Sequence, residues 1–250
     1  MPEQASTNTQ TARPNTRQAL LDAAEALFSE RGYEAVGIRE IVERADANLA
    51  AIKYHFGSKR DLYNETVRRI LDRARVGGNI WDLLVGPFSQ PTDAVTALGM
   101  FVGRHCLRVL EGGPSTVAAR LFLIEAIWPS EAFDDVIAEH FKPCTERLEA
   151  VIRQINPEIN DSEASTLANS VMAPMAYQRV YRKIIESMEP NRQPIDEHAV
   201  ELAESISSFV VRGIGGSEQM CEIVRTASRQ AIRSAIRQSG QTPGTENQQA

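Results

Sequence analysis

Apolar residues recur along this chain at helical spacing. Leu20, Ala24, Leu27 and Phe28 fall on one face after Asn15 or Thr16, either of which can cap a helix, and Gly32 can close it with a left-handed cap. Tyr33 follows and is expected to pack beneath the next elements. Two short helical patterns come next: 39–45, with Ile41, Val42 and Ala45 on one face, and 49–56, with Ile52 and Phe56 one turn apart and facing inward. Between them, Asp46-Ala47-Asn48 supplies turn chemistry, since Asp and Asn bond their own backbone and tolerate positive φ. Ser58, with Asp61 three positions on, resembles a capping box and starts a helix carrying Tyr63, Val67, Ile70 and Leu71 to about Arg75, before Gly77-Gly78.

The pattern continues beyond an irregular stretch at 79–92 that holds Pro87 and Pro91. A helix is expected from about Asp93 to Glu111, stopped by Gly112-Gly113-Pro114. Ser115 then caps one through Ile127 or Trp128, closed by Pro129. A further helix spans about Glu131 to Asn156, kinked by the internal Pro143. A long apolar helix runs from Asp161 or Ser162 to about Ser187 and contains Pro174. The loop EPNRQP separates it from a helix over roughly 196–212, ended by Gly213, Gly215 and Gly216. The segment 217–238 is amphipathic, with Arg225, Arg229, Arg233 and Arg237 in one stripe. No sustained period-2 alternation and no solenoid-length repeat occurs, so the expected fold class is all-α.

Composition refines this picture. The chain has 250 residues, enough for one large or two modest domains, with a hydrophobic fraction of 42% and a charged fraction of 24%. Net charge is −6, which taken alone speaks against a nucleic-acid binder. The distribution reverses that: positions 13–75 carry a balance of +2 and the remainder −8, a basic head on an acidic body. Three widely spaced cysteines, Cys106, Cys144 and Cys221, suit a reducing compartment. The start is polar, no apolar run approaches the ~20 residues of a membrane span, and a cytoplasmic location is expected. Residues 1–14 and 239–250 offer nothing to bury and are expected to be disordered arms. Arg13 and Arg17 could reach a minor groove, though a solvated tail is the plainer expectation.

The two short patterns and their turn read as a helix-turn-helix, whose second helix enters the DNA major groove. Asn48, Leu49, Ala50 and Ala51 form its first turn, and the alanines are small enough for close approach to base edges. Leu49 and the alanines can meet a thymine methyl, and Lys53 can reach guanine or a phosphate. Tyr54 and His55 can donate to phosphates. Lys59 and the amides of the next helix offer a phosphate site, and Arg39 opens the first helix of the motif. From TRQALLDAAEALFSERGYEAVGIREIVERADANLAAIKYHFGSKRDLY, and above all its YHFGSK tract, the head resembles the TetR family of transcriptional regulators. GPSTVAARLFLIEAIWPSEAF resembles, more faintly, the CecR-like branch. The resemblance implies an all-helical homodimer with a DNA-binding domain (15–75), a helical effector-binding and dimerisation domain (76–216), and release of a palindromic DNA operator when a small-molecule effector binds. The family's turn usually holds Gly where this chain has Asp46, and Asp enters the left-handed region at modest cost.

Other chemistry is sparse. No phosphate loop, nucleophile elbow or HExxH is present, so no enzyme is expected and no cofactor is called for. His140 and Cys144 are spaced i, i+4, and His105-Cys106 and His198 could add ligands, but Pro143 distorts that turn and no metal is expected. The resemblance places an effector pocket among the central helices. Phe101, His105, Arg120, Phe122, Glu125, Trp128, Met175 and Arg179 are its candidates, for a lipophilic effector, although aromatic and Met positions at helical spacing also suit plain core. Buried Glu125 or Arg120 would need a partner. Val171, Met175, Val180 and Ile184, with Val200, Ala203, Ile206 and Val210, could form a four-helix dimer bundle or bury within one subunit. The 217–238 helix packs on its own acidic domain or crosses to a partner.

Overall fold

The computed structural model describes residues 15–74, 79–111, 117–189 and 195–240. Expected features at 1–14, Gly77-Gly78, 112–116, 190–194 and 241–250 lie outside them. The described residues contain twelve α-helices and no strand.

The head begins with α1 (Thr16–Arg31), where the Asn15 side chain accepts from the Arg17 amide at 3.1 Å. Leu20, Leu21, Ala24, Leu27 and Phe28 give it a fully buried face. It ends at Gly32, whose φ is 77° and whose amide donates to the Phe28 carbonyl at 2.8 Å. Its ψ of 175° makes this a positive-φ extended conformation in place of the expected left-handed cap, one that only glycine adopts readily, and a Cβ there would also sit 2.7 Å from Ile124 Cγ2 of a later helix. α2 (Ile38–Arg44) and α3 (Leu49–His55) follow. Asp46 stands between them with φ 48°, the left-handed conformation expected for this turn. α4 (Lys59–Ala74) starts at Ser58, whose Oγ accepts from the Asp61 amide at 3.1 Å.

The head core recruits two elements from the body. Leu121 of α6 (Val117–Ile127) and Phe133 and Val136 of α7 (Phe133–Val136) join Leu20, Phe28, Ile41, Leu62 and Tyr63 in one apolar cluster. The expected kinked helix over 131–156 is instead three pieces: α7, a π turn at Ile137–Phe141, and α8 (Lys142–Ile155). Pro143 lies in the first turn of α8, directly after the π turn. The wide π turn absorbs the change upstream of it.

The body is built around α5 (Pro91–Glu111), preceded by a 3₁₀ turn at Ile80–Leu84 within the stretch expected to be irregular. Leu98, Phe101, Val102 and Cys106 of α5 are fully buried. α9 (Asp161–Val180) opens with a capping box between Asn160 and Glu163. The long helix expected from 161 to 187 breaks at Tyr181 (φ −97°, ψ 12°), and α10 (Arg182–Met188) continues after it. Arg182 explains the stop, since it donates to the carbonyls of Val109, at 3.0 Å, and Leu110 at the end of α5. α11 (Ile195–Gly213) and α12 (Glu218–Gly240) complete the body, with α12 extending two residues past its expected end.

α12 packs in cis. A Cβ at Gly99 would lie 2.6 Å from the Val224 carbonyl oxygen, and one at Gly103 2.4 Å from that of Ser228. The two glycines therefore form a groove on α5 that admits the α12 backbone. Ser207 and Ser228 hydroxyls meet at 2.8 Å inside the α11–α12 contact. Arg225 pairs with Glu218 and Glu222, and Arg229 with Glu204.

Candidate nucleic-acid interface and its coupling to the body

α3 presents its outer face to solvent. Asn48 caps it, its side-chain oxygen accepting from the Ala51 amide at 3.0 Å. That use leaves the Asn48 amide NH₂ to offer outward. Leu49 is 55% and Tyr54 84% exposed, unusual values for apolar and aromatic groups in a folded head. Ala50 and Lys53 are exposed, Ala51 and His55 half-buried, and Ile52 fully turned inward. The His55 ring lies edge-on to Tyr54, centroids 4.8 Å apart, which orients both side chains. Phe56 closes the helix beneath the guanidinium of Arg17, 5.4 Å from its ring centroid. Arg17 also pairs with Glu65. Arg39 is exposed at the start of α2.

Lys59 stands at the rim of the same surface, its Nζ 4.2 Å above the Tyr33 ring. Burial lowers its pKa, and Glu34 opposes the shift. The cation–π contact holds the ammonium at the N-terminus of α4, where an anion meets both the amine and the helix dipole. Arg60 points away from this surface. It makes a two-pronged bond to Asp135, at 2.8 and 2.9 Å, and the pair raises its pKa while holding the Asp135 carboxyl low.

The junction between α4 and the body is where the sequence was least informative. Glu125 is only 2% exposed, and its carboxylate accepts three donors: the Tyr63 hydroxyl at 2.5 Å, the Ser130 amide at 2.8 Å and the Ser130 hydroxyl at 3.0 Å. The Tyr63 ring sits edge-on against Phe28 and Tyr33, centroids 5.1 Å away in each case. Burial first, and then the bond to Glu125, pushes the Tyr63 pKa well above the ordinary phenol value. Asn64 donates to Asp135 at 2.8 Å and Arg68 bonds both oxygens of Glu139. Arg60, Asn64 and Arg68 are spaced i, i+4, i+8, a pattern that could have marked this face of α4. On its opposite flank α4 pairs with α1 through Arg69–Asp22 and Arg73–Glu25.

The eight expected effector residues do not form one constellation. Phe101, His105, Met175 and Arg179 belong to the α5–α9 region of the body. Arg120, Phe122 and Glu125 belong to α6 at the head junction, and Trp128 follows its last residue. Glu125 is spent on Tyr63 and Ser130, Trp128 is 71% exposed and Arg120 lies in solvent. Phe122 joins Phe133 and Phe141 in an aromatic group with centroids 5.3 to 6.0 Å apart. Of the two faces expected to pair subunits, Val171, Met175, Ala203, Ile206 and Val210 are buried within the chain's own core. Val180 and Ile184 are exposed instead, alongside Tyr177, Tyr181 and Met188, with Phe209 66% exposed on α11.

No three of His, Cys, Asp or Glu converge as a metal site among the described residues, and no described helix is long and apolar enough to cross a membrane. Comparison with known proteins adds identity to this geometry. The profile described as bacterial regulatory proteins, tetR family, matches residues 20–66. The profile of the C-terminal domain of the HTH-type transcriptional dual regulator CecR matches residues 94–214. The HTH-type transcriptional activator FasR of Mycolicibacterium smegmatis is 40% identical over 60 residues, which is 24% of this chain and 27% of that protein. The HTH-type transcriptional repressor AcnR of Corynebacterium glutamicum is 37% identical over 62 residues, 25% of this chain and 32% of AcnR. The similarity thus spans less than a third of either relative's length. A gamma-butyrolactone receptor (ArpA like protein) shares the fold at a TM-score of 0.54 and 18% identity, covering 88% of this chain and 97% of that one.

Proposed function

Because the chain belongs to the TetR family of transcriptional regulators, DNA-binding proteins and not enzymes, we propose that it binds a palindromic DNA operator as a homodimer in the cytoplasm and releases it when a small-molecule effector binds the body. Repression is the expected outcome of such release. The observation that carries the DNA reading is α3: a capped helix with small residues in its first turn, exposed Leu49, Lys53 and Tyr54 on one face, and Lys59 at its rim. Arg39, Asn48, Leu49, Ala50 and Ala51 lie toward the bases in this reading, and Lys53, Tyr54, His55 and Lys59 toward phosphates.

The dimer surface we assign is the exposed stripe Tyr177, Val180, Tyr181, Ile184 and Met188 of α9–α10, extended by Phe209. Stacking of Tyr177 on Tyr181, centroids 4.7 Å apart, gives this stripe a flat, ordered centre. Two reading heads on one two-fold axis match a palindrome. The junction offers the route for release. Any ligand that binds one tilt of α4 better than the other shifts the operator-competent fraction, and a swing from 1:99 to 99:1 takes about 5.5 kcal/mol of differential affinity. Glu125, Asp135 and Glu139 are the body's grips on that helix.

The test is Ala51→Glu, measured by electrophoretic mobility shift on DNA fragments selected by the purified protein. It adds bulk and a carboxylate where α3 faces acidic DNA, and binding is expected to vanish with circular dichroism unchanged. Retained nanomolar binding by a folded variant would mean that α3 is not the recognition helix.

A further inference from the structure

Arg60 belongs to the first turn of α4, next to Lys59, yet its guanidinium serves the body. Side chains on a helix lean toward its N-terminus, so an arginine at this position has the rim of the DNA-facing surface within its sweep. The charge of Arg60 also acts on the Tyr33 phenol, the same side chain whose ring carries the Lys59 ammonium. Asp135 turns Arg60 aside, accepting from Nε at 2.8 Å and from Nη2 at 2.9 Å. This is the paired geometry in which a guanidinium also takes a phosphate. Asp134 adds to the attraction from the same turn.

The neighbours of Asp135 hold it in place. Phe133 and Val136, before and after it, are buried in the head core and keep α7 against α4. Asn64, one turn after Arg60, donates to the same carboxylate at 2.8 Å. The clasp is incomplete, however. Asn64 is only 6% exposed, and its Oδ1 has no hydrogen-bond partner among the described residues. An acceptor buried without a donor raises the free energy of the clasped arrangement. α7 is one turn long and runs directly into the π turn at 137–141, an irregularity often found at functional sites. The ion pair itself is part-exposed, 44% for the Arg60 side chain and 39% for that of Asp135, so breaking it costs little. DNA that reaches Lys59 brings a second anion to the same guanidinium.

We propose that Arg60 is a further phosphate ligand of the DNA surface and that Asp135 is an internal competitor for it, so that the DNA-free protein restrains its own binding. The proposal rests on the reading of α3 and Lys59 as the DNA surface, and it names one contact by which the body sets the affinity of the head. Operator binding transfers Arg60 from the carboxylate to a backbone phosphate. A shift of α7 that draws Asp135 away from α4 strengthens binding, and a shift that presses it closer weakens binding.

The experiment is a double-mutant cycle on the full-length protein, read by fluorescence anisotropy with the selected DNA duplex over a series of salt concentrations. Each variant is first matched to wild type by circular dichroism. Asp135→Asn removes the charge and keeps an oxygen for Asn64. It is expected to tighten binding roughly two- to five-fold, the contribution of an exposed ion pair, with the salt slope unchanged. Arg60→Gln is expected to reduce the salt slope of log K by about one unit, because one phosphate contact is lost. Added to Arg60→Gln, Asp135→Asn should give no gain. An equal gain in both backgrounds would mean that Asp135 acts by long-range repulsion alone, and it overturns the clasp. A folded Asp135→Asn protein that binds no tighter than wild type overturns it too. An unchanged slope in Arg60→Gln removes Arg60 from the DNA, and that result stands even where Asp135→Asn fails to fold. Ala51→Glu, run alongside, reads the parent proposal separately. Binding retained there overturns the recognition helix, whereas binding lost there beside a failed cycle overturns the clasp alone.

Discussion

Removing one oxygen tests the junction between head and body. Tyr63→Phe deletes the hydroxyl that donates to Glu125 and leaves the ring in its contacts with Phe28 and Tyr33. The site is fully buried, so no water replaces the lost donor. A hydrogen bond to a charged group contributes roughly 1.5–3 kcal/mol net. Glu125 keeps the Ser130 amide and hydroxyl, at 2.8 and 3.0 Å, which places the cost near the middle of that range, about 2 kcal/mol. For a chain of this size each kcal/mol lowers Tm by roughly 2–4 °C, so a fall of about 4–8 °C is expected in differential scanning calorimetry. Glu125→Gln should also destabilise, because the amide presents one accepting oxygen where the carboxylate has two. A Tyr63→Phe protein melting within about a degree of wild type would refute the argument: the bond would then carry no net stability and the junction would be held by packing alone.

Lys59→Ala should weaken binding to all DNA sequences about equally and reduce the salt slope of log K by about one unit in a fluorescence-anisotropy titration; an unchanged slope removes Lys59 from the interface. Gly103→Val should be strongly destabilising by chemical denaturation, since its Cβ would lie 2.4 Å from a backbone oxygen that cannot swing aside. A midpoint equal to wild type would show that α12 does not lie in that groove. Ile184→Glu should yield a folded monomer in analytical ultracentrifugation, whereas Ile206→Glu should unfold the body, because Ile206 is buried in its own subunit. An intact Ile184→Glu dimer would move the interface elsewhere.

What the sequence made legible follows the range of the forces involved. The head was readable because its signals are local: the cap at Asn15, the Asp46–Asn48 turn with its left-handed Asp46, and the cap at Ser58 act within three residues, and the structure adds that Asn48 itself caps α3. The break at Tyr181 was not, because Arg182 is held by carbonyls of a distant helix. The π turn at 137–141 likewise answers to Pro143 and to Arg68, which grips Glu139. Periodicity placed Ile206 and Ile184 equally on apolar faces, yet one is core and the other surface, since spacing shows that a face is apolar without showing what covers it. Glu125 looked like a pocket residue for the same reason. Its partner Tyr63 lies on another helix, and a buried carboxylate alone does not reveal whether protein or ligand satisfies it.

The glycine groove on α5 also bears on the order in which this protein takes shape as it is made. The apolar cluster of the head draws its last member, Val136, from the middle of the chain. That part can therefore close while later segments are still being added. The body cannot do the same. Gly99 and Gly103 emerge early with a strip of bare backbone beside Leu98 and Val102, and the helix that covers it arrives only with Val224, Ser228 and Ile232. Throughout the interval the nascent body exposes a sticky, unfinished surface beside a completed DNA-reading unit. Translation that stalls or terminates before α12 should therefore leave a folded head tethered to an aggregating remnant, and little of the truncated product should persist in soluble form.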